Sequence, residues 1–147
     1  MTGIKVSALD HVHLYGADPQ AAARWYERVL GLVVHPSSTI RDPEQAIYLA
    51  TARGQYCATF FKGAPPNSGD HTTAFRVPGS FFIAFGDGLP DQDIVGRSGQ
   101  LLRWSEADDH GPAWSFYFVD PDGNHLEVTT YDHAKVREWY KLRGERG

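Results

Sequence analysis

The chain has 147 residues, 41% of them hydrophobic and 22% charged, an ordinary balance for a globular protein able to bury a core. Net charge is −4 and no Lys/Arg-rich run stands out, which argues against a nucleic-acid partner. Cys57 is the single cysteine, so no intrachain disulfide can form; no stretch approaches the length of a membrane span, and the expected compartment is the cytoplasm.

Ile4 to Tyr15 reads as a strand. Alternation sends Val12 and Leu14 one way and His11, His13 and Tyr15 the other. Asp18-Pro19 then offers an N-cap followed by proline at the first helical position, and the spacing predicts a helix over Pro19–Leu30. Its apolar face holds Ala22, Trp25, Tyr26, Val29 and Leu30, and Gly31 stops it. Strands are expected from Leu32 through His35, over Ala46–Thr51 and over Tyr56–Lys62, the last two joined by a turn at Arg53-Gly54. The run Gly63 to Gly69, rich in Gly, Pro and Ser, reads as a linker.

The second half repeats the order. Thr72–Val77 has strand character, Ser80 is a cap for a short helix Phe81–Phe85 ended by Gly86 and Gly88, and Leu101–Trp104 reads as a strand. Trp114–Val119 and His125–Thr130 are the clearest strands, joined by the turn Asp120-Pro121-Asp122-Gly123. A last helix follows Asp132. Each half is therefore strand, helix, three strands, and the expected class is α+β: two βαβββ modules, near residues 4–63 and 70–131, building one cupped, mostly antiparallel sheet as a single domain with a helix over 132–143.

Alternation also sorts the chemistry. Trp114, Phe116 and Phe118 form a core face, and Ser115, Tyr117 and Val119 the other. In the last strand Leu126 and Val128 are the core pair, while His125, Glu127 and Thr129 look away. A carboxylate flanked by apolar neighbours is costly unless paired or liganding, or unless this side is open to solvent.

The run His110, five residues, Phe116-Tyr117, two residues, Asp120-Pro121-Asp122-Gly123, three residues, Glu127 closely resembles the signature of extradiol ring-cleaving dioxygenases. Asp108, two before His110, departs from the residues that usually open that motif. Leu9-Asp10-His11-Val12, with Trp25-Tyr26-Glu27-Arg28-Val29-Leu30-Gly31, resembles the first module of the vicinal oxygen chelate superfamily, which includes glyoxalases and bleomycin resistance proteins. The resemblance implies Glu127 and His11 as metal ligands, His110 as an acid/base and Tyr117 as a hydrogen-bonding partner of a substrate oxygen. The second His that the superfamily usually supplies is expected at Thr72. His71 stands one residue earlier, where a strand points the other way unless a bulge turns it. His13 and His125 share faces with His11 and Glu127 and are either substitute ligands or, with Thr72 and Trp104, substrate-binding residues. His35 and His133 are read as surface residues, and Cys57 as a buried strand residue.

Two readings follow. The first is a metal-dependent enzyme, with iron, manganese, zinc or nickel, acting on a small oxygen-rich or aromatic compound by bidentate chelation. The second is a metal-free binding protein that encloses an aromatic drug or metabolite between rings such as Trp104 and Trp114. The partner is a small molecule in both, with no membrane or nucleic acid. The resemblance also implies a homodimer.

Overall fold

The structure, a computed structural model, describes residues 3–36, 38, 46–64 and 71–146. They divide into two compact units, Met1–Asn67 and Ser68–Gly147. Most of the expected linker, Pro65 to Gly69, lies outside the described residues.

The first unit runs β1 (Val12–Gly16), α1 (Pro19–Leu30), β2 (Val33–Val34), β3 (Ile47–Ala50) and β4 (Tyr56–Lys62). Helix α1 has the expected ends. The Asp18 carboxylate accepts from the backbone N–H groups of Gln20 at 3.0 Å and Ala21 at 3.2 Å, satisfying two donors that the helix leaves open. Gly31 takes φ 66°, which a side chain would resist, and closes the helix on the Glu27 carbonyl. The sheet order is β1-β4-β3-β2, with β1 parallel to β4 and the other pairs antiparallel. Leu14, Leu49, Ala58 and Phe60 are buried, and the buried Tyr26 ring of α1 lies 6.0 Å from that of Phe60.

The first strand is shorter than expected. It begins at Val12 rather than Ile4, and Ile4, Val6 and Leu9 are exposed. Register explains this. Val12 pairs with Ala58, so residues before Asp10 would face the chain where it turns between Thr51 and Gln55.

The second unit runs β5 (Thr73–Arg76), α2 (Gly79–Gly88), β6 (Val95–Gly96), β7 (Asp108–Asp109), β8 (Trp114–Val119), β9 (His125–Thr130) and α3 (His133–Arg146). Its sheet order is β5-β9-β8-β6, with β7 beside β8; β5 is parallel to β9 and the rest are antiparallel. The β8–β9 turn is held by the Asp120 carboxylate. Although buried, it accepts from the Asp122 and Asn124 backbones and the Asn124 amide at 2.7–2.9 Å. Phe82 and Phe85 of α2 pack on Phe116, and Phe85 also on Phe118.

Two expectations fail here. Helix α2 runs through Gly86 to Gly88 and starts at Gly79, behind Pro78 rather than a Ser80 cap. Gly86 is a packing glycine: a Cβ there would stand 2.3 Å from the Trp104 ring. Leu101–Trp104 is no strand either. Leu101 makes one bridge to Val95, Leu102 closes a tight hairpin on the Ile94 carbonyl, and Trp104–Glu106 is a 3-10 turn. Among the described residues no helix is long and apolar enough to cross a membrane.

Candidate functional site

In the second unit, β8 and β9 pair so that Ser115 opposes Thr129, Tyr117 opposes Glu127 and Val119 opposes His125. Phe116, Phe118, Leu126 and Val128 are buried on the face under α2. The period of two therefore collects Ser115, Tyr117, His125, Glu127 and Thr129 on the opposite face. Ser115 is buried, and its hydroxyl donates to Glu127 Oε1 at 2.6 Å. Thr129 Oγ1 supports it from 3.0 Å and also lies 3.1 Å from the Trp114 carbonyl oxygen. A charged acceptor this well held is pre-oriented for whatever binds its other oxygen.

Tyr117 is half-buried beside Glu127, and its hydroxyl shares a 2.9 Å hydrogen bond with His110 Nε2. Burial, then the nearby Glu127 charge, raises the phenol above its ordinary 10.0, so Tyr117 remains protonated at neutral pH. His110 stands just past β7, where Gly111 takes φ 93°. Asp109 anchors this corner. Its carboxylate accepts from the Gly111 N–H at 2.9 Å and contacts His133 Nε2 at 2.6 Å. These two contacts, in that order, hold the Asp109 carboxyl below its ordinary value. The Arg97 guanidinium lies 4.7 Å over the Tyr117 ring and donates to the Thr72 hydroxyl.

Ala74 pairs with Glu127, so Thr72, two residues earlier, falls on the Glu127 face and His71 has the opposite parity. The register of β5 runs without a bulge from Thr73 to Arg76, and His71 before it is exposed. His125 Nδ1 is buried without a hydrogen-bond partner among the described residues. Trp104 is placed elsewhere. It packs on Phe82 and Phe116, under the helices, and its Nε1 donates to Asp87 at 2.9 Å. Trp114 is buried on that side too, against Tyr140 and His133. The enclosing rings anticipated from these two tryptophans are helix-packing rings. His133, expected at the surface, is half-buried and tied to Asp109.

In the first unit, the β1 face opposite Leu14 carries His11, His13 and Tyr15. His11 Nε2 and His13 Nε2 stand 3.2 Å apart, and His11 Nδ1 lies 2.7 Å from Asp10 Oδ2. The Tyr56 ring is 4.7 Å from His11, and Phe61 lies 4.8 Å from His13 and stacks on Tyr15. Thr59 pairs with His13 and is hydrogen-bonded to the Tyr56 hydroxyl.

The implied metal donors are thus distributed. His11 is on one unit, Glu127 is on the other, and Thr72 stands where a further imidazole is expected. Within neither unit, among the described residues, do three His, Cys, Asp or Glu side chains gather around one point. Alternation placed Ser115 on the Tyr117 face without giving it a role, and Asp10 beside His11 was given none either; no local signal marks Arg97 or the Asp109–His133 pair.

Strand-helix-strand units of this topology define a glyoxalase-like α+β protein. The description of the Glyoxalase/Bleomycin resistance protein/Dioxygenase superfamily matches residues 8–128, and the chain belongs to that superfamily. It is similar to the glutathione transferase FosA of Serratia marcescens, 26% identical over 126 residues that cover 84% of this chain and 80% of the relative. Among solved structures it resembles a mutant of the fosfomycin resistance protein FosX from Listeria monocytogenes, complexed with Mn(II) and 1S,2S-dihydroxypropylphosphonic acid: 14% identity, TM-score 0.65, covering 86% of this chain and 93% of that one. The oxidase ChaP-H2 is similar at 22% identity and TM-score 0.63, covering 86% and 94%. At these identities the solved structures speak for the fold.

Proposed function

We propose that this protein is a metal-dependent enzyme of the glyoxalase or extradiol dioxygenase type, acting on a small oxygen-rich or aromatic compound that offers two adjacent oxygens. His11 and Glu127 are the proposed ligands, His110 the acid/base and Tyr117 the hydrogen-bonding partner of a substrate oxygen. The observation that carries the reading is the 2.9 Å His110–Tyr117 bond on the sheet face where Ser115 orients Glu127. A protonated phenol against an imidazole is a pair through which one proton can shift, and an imidazole is the side chain best matched to neutral pH for that work. A bound divalent ion would supply Lewis acidity and hold the substrate's two oxygens. The metal and vicinal diol named for the FosX complex support the same chemistry. Cytoplasmic location and pairing as a homodimer belong to the same proposal, the latter readable by light scattering.

The test is metal uptake followed by turnover. Wild-type protein is expected to bind zinc, manganese or ferrous iron, and Glu127→Gln to bind the ion more weakly because an amide lacks the carboxylate charge. On a panel of catechols, α-hydroxy ketones and fosfomycin, His110→Ala is expected to lower turnover roughly a hundredfold or more while metal affinity stays near wild type. No uptake of any of the three ions at saturation would instead favour a metal-free protein that sequesters an aromatic drug or metabolite.

A further inference from the structure

His11 and His13 are drawn together on the polar face of β1, where their rings share one hydrogen bond. The two Nε2 atoms face each other at 3.2 Å on the polar side of β1. Asp10 lies 2.7 Å from His11 Nδ1, so that nitrogen carries the proton and donates it to the carboxylate. His11 Nε2 is thereby left as a lone pair aimed at His13. A carboxylate behind an imidazole in this way fixes the tautomer and raises the basicity of the far nitrogen, the arrangement found behind metal-ligating histidines.

Two imidazole nitrogens this close share either a proton or a cation. Geometry admits the cation. With metal–nitrogen bonds of about 2.0–2.1 Å, a separation of 3.2 Å corresponds to an angle near 100° at the ion, between tetrahedral and octahedral values. The rings are also held in place. Tyr56 covers His11 at 4.7 Å and Phe61 meets His13 edge-on at 4.8 Å, so neither imidazole needs to be ordered at the moment of binding. Position in the strand adds to this: His11 and His13 are two residues apart, the one spacing that puts successive β side chains on the same face.

We propose that His11 and His13 together chelate a single divalent transition-metal ion, with Asp10 orienting His11 from behind. The first unit then supplies two imidazoles to the ion from one strand face. The inference deepens the metal-dependent reading above and rests on it for the presence of an ion, but on the first unit's own geometry for His13. Borderline ions that accept nitrogen, such as zinc, cobalt and nickel, suit this donor pair better than calcium or magnesium.

The test is titration of the full-length protein with zinc by calorimetry and with cobalt(II) by visible absorption, on wild type and on His11→Ala, His13→Ala, His13→Gln, Asp10→Asn and Glu127→Gln. Thermal unfolding of each variant shows that it is folded. His13 is exposed, so its replacement leaves the core untouched. One equivalent is expected for wild type. Both His13 variants should lose more than about a hundredfold in affinity and change the cobalt spectrum, and Asp10→Asn about tenfold, the usual range for a group behind a ligand. Wild-type affinity and an unchanged spectrum in both His13 variants would overturn the inference; if Glu127→Gln alone then lost the ion, the Glu127 assignment would survive it. Loss in the His13 variants with full affinity in Glu127→Gln would uphold the pair and remove Glu127 instead. No binding by wild type would overturn both.

Discussion

The two units are built on the same plan and carry opposite donors at corresponding places. Each pairs its first strand in parallel with its last: β1 with β4, and β5 with β9. His11 precedes β1 by one residue as Thr72 precedes β5, and Thr59 pairs with the second residue of β1 as Glu127 pairs with the second of β5. The first unit thus has an imidazole on its first strand and a hydroxyl on its last, while the second has a hydroxyl first and a carboxylate last. Their surroundings differ in kind. Around His11 and His13 are the rings of Tyr15, Tyr56 and Phe61, whereas around Glu127 are hydroxyls that donate or accept. A repeated scaffold therefore sets where side chains point and leaves their chemistry free to diverge.

The largest expected effect tests the two cores. Phe116 is stacked with Phe82 and also meets Phe85 and Trp104, while Phe60 has Tyr26 as its ring partner. Phe116→Ala should cost near the top of about 3–5 kcal/mol and Phe60→Ala near the bottom, measured by denaturant unfolding. The reverse order would show that ring clustering does not distinguish the units. A smaller effect probes the hydroxyl side. Ser115→Ala removes the donor to Glu127 Oε1 and should destabilise by about 1.5–3 kcal/mol, the range for hydrogen bonds to charged groups, in the same unfolding experiment. Stability equal to wild type would mean that the carboxylate is satisfied without it.

The smallest effect depends on pH. Asp109 has a folded pKa below its ordinary 3.8, so its contribution is present above that value and is lost as pH falls through the folded pKa. The stability difference between wild type and Asp109→Asn should shrink towards zero as pH falls from about 5 into stronger acid. A difference that grows on acidification would contradict the Gly111 and His133 contacts as its cause.

Much of this could be read along the chain. Helix α1 has the predicted ends because Asp18, Pro19 and Gly31 act on their own neighbours, and β8 and β9 run as predicted because each alternates cleanly. Alternation also put Tyr117 and Glu127 on one face. Local signals misled where a residue serves a distant partner. Gly86 looks like a helix stop and is space for Trp104. His133 looks like a surface residue and is the far half of an Asp109 contact. Ile4 to Leu9 alternates well enough for a strand but, among the described residues, pairs with no other segment.

By itself, then, the sequence determined the periodicities, the helix caps, the turn at Asp120–Gly123 and the superfamily, because each depends on residues a few positions apart. Only the tertiary structure decided that Trp104 belongs to the helix side and that Thr72 rather than His71 shares the Glu127 face. Those depend on register and packing between segments far apart in the chain, where a shift of one residue in pairing reverses every side chain.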